Sequence, residues 1–226
     1  MDISNITVGE MAAREHKALK VYKELGIEFC CGGNRKLVEA LKEKGVTPEV
    51  FTGKLEKLKK ASGQNKEIDF LAMDPAALAE YIVDKHHQYL WKALPEINML
   101  FTKVLGVHGA QHPELFQVFK MFGKLKTDLE QHLIKEETML FPRITELNKA
   151  ADLGKLAEEI KEEHETAGDL MEDIRKVNDD YTLPGDACAS FKKLYSDLQA
   201  AEDDIHEHIH LENNILLKDN ASCKVV

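Results

Sequence analysis

The sequence predicts an all-α fold: an up-down-up-down four-helix bundle preceded by a small helical domain. Three observations lead there. No sustained apolar/polar alternation flanked by Asn-Gly or Asp-Gly turns occurs, so strand signals are nearly absent. Apolar residues recur instead at steps of three and four. From Asp74 onward the helical stretches become long and their connections short, which is the pattern of antiparallel neighbours.

Before residue 70, three short helical stretches can be drawn: about Val8 to Leu25, Arg35 to Lys44 and Pro48 to Ala61. The Cys30-Cys31-Gly32-Gly33 turn and Gly45 to Thr47 interrupt them. Ser62 to Asp69 is polar and carries a glycine, which marks a linker. The expected division is therefore a small helical domain at residues 1–61, a linker at 62–73 and the bundle at 74–226. Asp74-Pro75 supplies an N-cap followed by proline at the first helical position, opening a helix to about Val104. Gly106 to Pro113 closes it. The second helix is expected from Glu114 to Asn148, the third from Leu153 to Asp179, and the fourth from Asp186 to Leu217, after the Leu183-Pro184-Gly185 break.

A chain of 226 residues has room for two unequal domains. With 30 basic and 40 acidic side chains the formal net charge is −10, the wrong sign for wrapping a phosphate backbone. The lysines near Lys57, Lys59 and Lys60 alternate with apolar residues and read as a solvated helix face, so nucleic acid is excluded as a partner. Met1 to Glu15 lacks the basic head and apolar core of a secretory signal, and no run of some 18 apolar residues occurs. The expectation is a cytoplasmic protein with no membrane partner. Four cysteines, Cys30, Cys31, Cys188 and Cys223, make no spaced disulfide framework, and a reducing compartment fits them better.

An internal repeat lies within the bundle. His132, Glu136, Leu140 and Phe141 on the second helix match His208, Glu212, Leu216 and Leu217 on the fourth. Histidine and glutamate four residues apart stand one above the other on a helix, about 6 Å apart, so both reach one centre. Leu140 and Leu216 continue the same face toward core. Carboxylates and imidazoles pointing inward are costly unless a cation balances them. The other two helices carry His86 or His87 and His164. Four imidazoles and two carboxylates without thiolate favour borderline to hard first-row metals such as iron, manganese or zinc. Two carboxylates suggest two metals, since a glutamate bridges a pair through its two oxygens.

The repeated His-x-x-x-Glu, followed by Leu140-Phe141-Pro142, resembles the hemerythrin-like bundle. The Cys30-Cys31-Gly32-Gly33 module ahead of it resembles the amino-terminal domain of the iron–sulfur cluster repair di-iron proteins, and the resemblance spans about residues 5 to 217. It implies His87, His132, Glu136, His164, His208 and Glu212 as ligands of two iron ions per chain, an oxo- or hydroxo-bridged pair with both glutamates bridging. His87 is preferred to His86 because it stands eight residues before Pro95, in a Leu94-Pro95-Glu96 stretch similar to the family's first helix. Oxygen-carrying hemerythrins place a second histidine where this chain has Gly168, and end the fourth-helix motif in a later aspartate rather than Glu212. Both departures point to the repair subfamily. The implied function is a stress response: repair of iron–sulfur clusters damaged by nitric oxide or oxidants, by donating iron, with damaged iron–sulfur proteins as partners. A homodimer is left open. The alternatives are a nitric oxide reductase at the same centre and a sensor of oxygen or nitric oxide.

The remaining polar residues carry weaker readings. Glu137 and Glu163 adjoin ligand positions and read as solvated helix charges, the alternative being carboxylates that orient an imidazole. His16, His206 and His210 fall out of phase with the repeat and read as surface residues or as supports around the ligands, and the loop pair His108 and His112 carries no assigned role, the alternative being a cap over the site's entrance. Met99, Met121, Met139 and Met171 read as core filler. Adjacent Cα atoms are about 3.8 Å apart, below the usual disulfide range, so a Cys30–Cys31 bridge would be strained. Gly32-Gly33-Asn34 turns into the next helix, which would set both sulfurs near a helix N-terminus where thiolate is favoured. Redox chemistry, metal relay or partner contact by Cys30 and Cys31 is the expected role.

Overall fold

The computed structural model describes residues 3–61, 68–146 and 153–218. The central linker at 62–67 and Cys223 lie outside the described residues. Helices account for all the regular structure described, apart from a single antiparallel bridge between Thr7 and Lys36. The chain divides into two compact units, Met1–Leu78 with His206–Val226, and Ala79–Ile205.

In the first unit, α1 (Val8–Arg14), α2 (Ala18–Leu25), α3 (Leu37–Glu43) and α4 (Pro48–Ala61) surround a core that includes Val8, Met11, Tyr22, Leu37, Leu41 and Phe51. Thr7 and Glu10 form a reciprocal capping box that starts α1, each side chain accepting the other's backbone N–H at 3.1 Å. The single helix expected from Val8 to Leu25 is broken at Glu15 to Lys17. Glu15 and His16 fall where the apolar stripe would continue, and the chain turns there so that Glu15 meets Lys59 and His16 meets Glu207. α2 ends on Gly26, which takes the left-handed φ of 63° that a Cβ would disfavour. The Cys-Cys-Gly-Gly turn is tied to α1 through backbone bonds from Val8 to Arg35 and from Gly9 to Gly33, both 2.9 Å.

The long helices follow, with Ala79–Ile205 forming the second unit and the chain from His206 onward belonging to the first. α5 (Pro75–Ile82) runs through a π turn (Val83–His87) into α6 (Gln88–His108); α7 (Glu114–Lys135) runs through another (Glu136–Leu140) into α8 (Phe141–Thr145); α9 (Leu153–Val177) and α10 (Ala189–Leu211) follow, and α10 ends in a third π turn (Glu212–Leu216). α7 packs against both α6 and α9. Leu94, Phe122, Leu125, Met171, Ile174 and Leu198 converge on one small space, so all four long helices supply this core. Each such buried side chain contributes about 1.5–3 kcal/mol by leaving water. Met171 is buried among them, but Met99 and Met139 are exposed, because their phase sets them on the outer faces.

Where α9 ends, Asp179, Asp180 and Tyr181 take positive φ in succession, at 50°, 54° and 59°. An aromatic residue there is strained, and side chains hold it. Asn178 accepts the Tyr181 N–H at 2.9 Å, the Tyr181 hydroxyl donates to Glu202 at 2.8 Å, and the Arg175 guanidinium lies 5.1 Å over the ring.

Candidate metal centre

Each of the three π turns among the described residues holds a residue expected as a ligand. His87 closes the first, Glu136 opens the second and Glu212 opens the third. A π turn adds one residue to the turn, so neighbours that an α-helix would splay by 100° can both face inward. His86 and His87 are accordingly both fully buried. In the second turn a cause is visible in the sequence: Pro142 has no N–H to return to the fourth residue before it, which disturbs the ladder just upstream. The added residue also shifts the phase, so that in the third turn Leu217 is buried and Leu216 only partly.

Within the second unit the structure brings together His87, His132, Glu136 and His164, all buried. Glu136 divides its carboxylate between two sides. Its Oε1 lies 3.1 Å from Nε2 of His132 and 3.8 Å from Nε2 of His164, while its Oε2 lies 3.3 Å from Nε2 of His87. The two Nε2 atoms of His132 and His164 are 3.1 Å apart. On the outer side, Glu163 takes the Nδ1–H of His132 at 2.7 Å and Glu137 takes that of His87 at 2.8 Å. Carboxylates only accept, so these bonds fix the tautomer and leave each Nε2 lone pair pointing inward. Glu137 and Glu163 are thus orienting groups rather than merely solvated charges. Burial lowers the His132 pKa, but the Glu136 and Glu163 carboxylates outweigh it and the net shift is upward. Glu163 is held below the usual carboxylate range by its bond from His132, against burial and with help from Lys135.

His208 and Glu212 stand side by side at the end of the last helix, both buried, with Nε2 and Oε2 3.2 Å apart. They belong to the first unit, whose cysteine turn packs on the same stretch of chain. Asn214 donates to the carbonyls of Phe29 and Cys30, each at 3.1 Å, and its Nδ2 lies 3.1 Å from Nδ1 of His210; Asn213 donates to the Cys30 carbonyl at 3.3 Å. His210 is therefore an interior residue, and burial pushes its pKa down to about 4.

The cysteines depart from expectation. Cys30 is buried, and its thiol donates to Glu28 at 3.0 Å, with the Cys31 sulfur 3.8 Å away. α3 begins at Leu37, too late for its N-terminus to serve them. The bond with Cys31, burial and the Glu28 carboxylate together raise the Cys30 pKa well above the usual thiol range, so thiolate is disfavoured there. Glu28, which also accepts the Cys31 and Gly32 N–H groups, was not singled out by spacing. His108 and His112 do not cap the centre: His108 lies 21 residues beyond His87, roughly 31 Å along a helix.

The donor set fits iron. The Nε2 atoms of His132 and His164, 3.1 Å apart, stand close enough that both rings would hold one ion. Imidazole and carboxylate without thiolate is a borderline-to-hard set. Among the described residues no helix is long and apolar enough to cross a membrane.

The Hemerythrin HHE cation binding domain family matches residues 78–219, and a domain described as of unknown function matches residues 4–59. The chain is 33% identical over 217 residues to a probable iron-sulfur cluster repair protein of Haemophilus influenzae, covering 96% of each chain. It is 31% identical over 209 residues to the iron-sulfur cluster repair protein YtfE of Escherichia coli, with 92% of this chain and 93% of the relative covered. It is 29% identical over 199 residues to the iron-sulfur cluster repair protein ScdA of Staphylococcus haemolyticus, with 87% and 89% covered.

Proposed function

From the premise that this chain belongs to the hemerythrin HHE family, among the iron–sulfur cluster repair proteins, we propose that it restores damaged iron–sulfur clusters by donating iron. The iron is held as a pair of ions by His87, His132, Glu136, His164, His208 and Glu212. The observation that carries this reading is the divided carboxylate of Glu136, whose two oxygens face different imidazoles, as a bridging ligand requires. Such a centre supplies redox-active iron that is more labile than iron in a thiolate cage. The chain's own part is to orient imidazoles through Glu137 and Glu163 and to exclude water from the buried donors.

Cys30 and Cys31, with Glu28, form a second group of ligand type and are proposed to relay iron to the damaged protein, the partner of the reaction. The proposed division is residues 1–61 for this module, 62–73 for the linker and 74–226 for the di-iron bundle.

The test is metal analysis with spectroscopy for coupled ferric ions, followed by transfer to an apo iron–sulfur protein. The expected results are two irons per chain, fewer in Glu136→Ala, and cluster rebuilding that fails in the Cys30→Ser/Cys31→Ser variant while its iron is retained. Rebuilding by that variant at the wild-type rate would remove the relay. Catalytic turnover of nitric oxide to nitrous oxide without iron loss would replace donation by reduction.

A further inference from the structure

Where α6 ends, a separate group of ligand-type side chains converges. The His108 carbonyl accepts from the N–H of Gln111 at 3.0 Å and of His112 at 2.8 Å, so the chain makes one more turn and returns the His112 ring to within 6.1 Å of the His108 ring. Asp186, just ahead of α10, meets both. Its carboxylate oxygens lie 3.0 and 3.2 Å from Nε2 of His112, and one lies 3.8 Å from Nδ1 of His108. One ligand atom from each of the three residues lies within 4.8 Å of the others. Phe191, fully buried, walls the group, its ring 5.2 Å from His108 and 5.6 Å from His112. His108 is itself buried, and its Nε2 has no hydrogen-bond partner among the described residues.

The arrangement repeats the design around Glu136. Glu114 stands 3.0 Å from Nδ1 of His112, as Glu163 stands beside Nδ1 of His132, and a second carboxylate faces Nε2 in each case. An outer carboxylate on one ring nitrogen raises the donor strength of the other and fixes its direction. With Glu114 on Nδ1, the Nε2 of His112 turns to Asp186 at 3.0 Å, a contact that either a proton or a shared cation bridges. Roughly 31 Å of helix separates this group from His87, so it is no extension of the iron centre.

We propose that His108, His112 and Asp186 form a second, independent metal site that takes one divalent first-row cation, best matched by zinc. Two imidazoles and one carboxylate with a fourth position open to water is an established zinc donor set. The Asp186 side chain is 56% exposed and that of His112 16%, which leaves the site open on one side.

The test uses the iron-loaded full-length protein, titrated with zinc chloride and followed by calorimetry and by metal analysis after gel filtration. One equivalent of zinc should bind with the iron content unchanged. His112→Ala and Asp186→Asn should each weaken that binding at least tenfold with the far-UV circular dichroism retained, while the exposed remote Glu172→Gln should not. Zinc should also raise the melting temperature of the wild type and not of the first two variants, because only a bound ligand stabilises by mass action. Zinc that enters only as iron leaves, that is lost in Glu136→Ala, or that binds His112→Ala and Asp186→Asn as tightly as wild type overturns the site.

Discussion

Glu163 accepts the Nδ1–H of His132 at 2.7 Å, and that single bond decides which imidazole nitrogen faces Glu136. Glu163 is also bonded to Lys135, so the carboxylate is itself held in place.

Glu163→Gln should therefore lower iron affinity about 10–100-fold, the usual cost of losing an orienting partner. The check is the iron retained against a chelator series, with helicity unchanged. Glu162→Gln, one residue away with no bond to His132, serves as the control.

The raised Cys30 pKa predicts a thiol that resists alkylation at pH 8 and reacts only as pH climbs past the ordinary thiol range, because the thiolate is the nucleophile. Glu28→Gln removes a negative charge from beside the sulfur, so it should shift the onset to lower pH. Mass-spectrometric mapping of iodoacetamide adducts against pH reads this directly. Equal labelling of Cys30 at pH 7 and pH 10 would contradict it.

Asn214 is held in a space that two glycines leave open. A Cβ at Gly33 would stand 2.0 Å from its Oδ1, and one at Gly9 would stand 2.3 Å away. Gly33→Ala should displace Asn214 from the Cys30 carbonyl and cost about 1–3 kcal/mol by overpacking. In a double-mutant cycle that cost should shrink when Asn214→Ala is already present. Urea unfolding of the four proteins measures the coupling, and strict additivity would refute the contact.

Glu202 gathers the Arg175 fork at 3.0 and 2.8 Å and the Tyr181 hydroxyl at 2.8 Å, and is almost wholly buried. Glu202→Ala leaves the guanidinium with only the exposed Asp180 as counter-charge and the strained Tyr181 turn without its anchor, a loss of about 3 kcal/mol. Chemical denaturation should show the drop in midpoint, and Glu202→Gln, which keeps the hydroxyl's acceptor, should recover part of it.

How far the sequence reached depends on which physical rule governs each residue. Spacing alone assigned His132 with Glu136 and His208 with Glu212, because an α-helix stacks residues four apart whatever surrounds it. It could not separate His86 from His87. The π turn at Val83–His87 buries both, and there the distinction rests on what each ring meets: Asp204 for His86, and Glu137 with Glu136 for His87. Glu137 and Glu163 were visible as neighbours of expected ligands, but charged residues beside a helix face are mostly solvated, and only packing shows which of them turn inward.

The amino-acid order by itself determined the helical class, the long helices of the bundle and the paired ligand motif, since these follow from periodicity, caps and breakers that act over a few residues. Tertiary structure decided the break between α1 and α2, the raised pKa of Cys30, the orienting roles of Glu137 and Glu163, and the meeting of His108 and His112 with Asp186. Each of those depends on groups brought together from distant parts of the chain, and burial and electrostatics between such groups have no local signature.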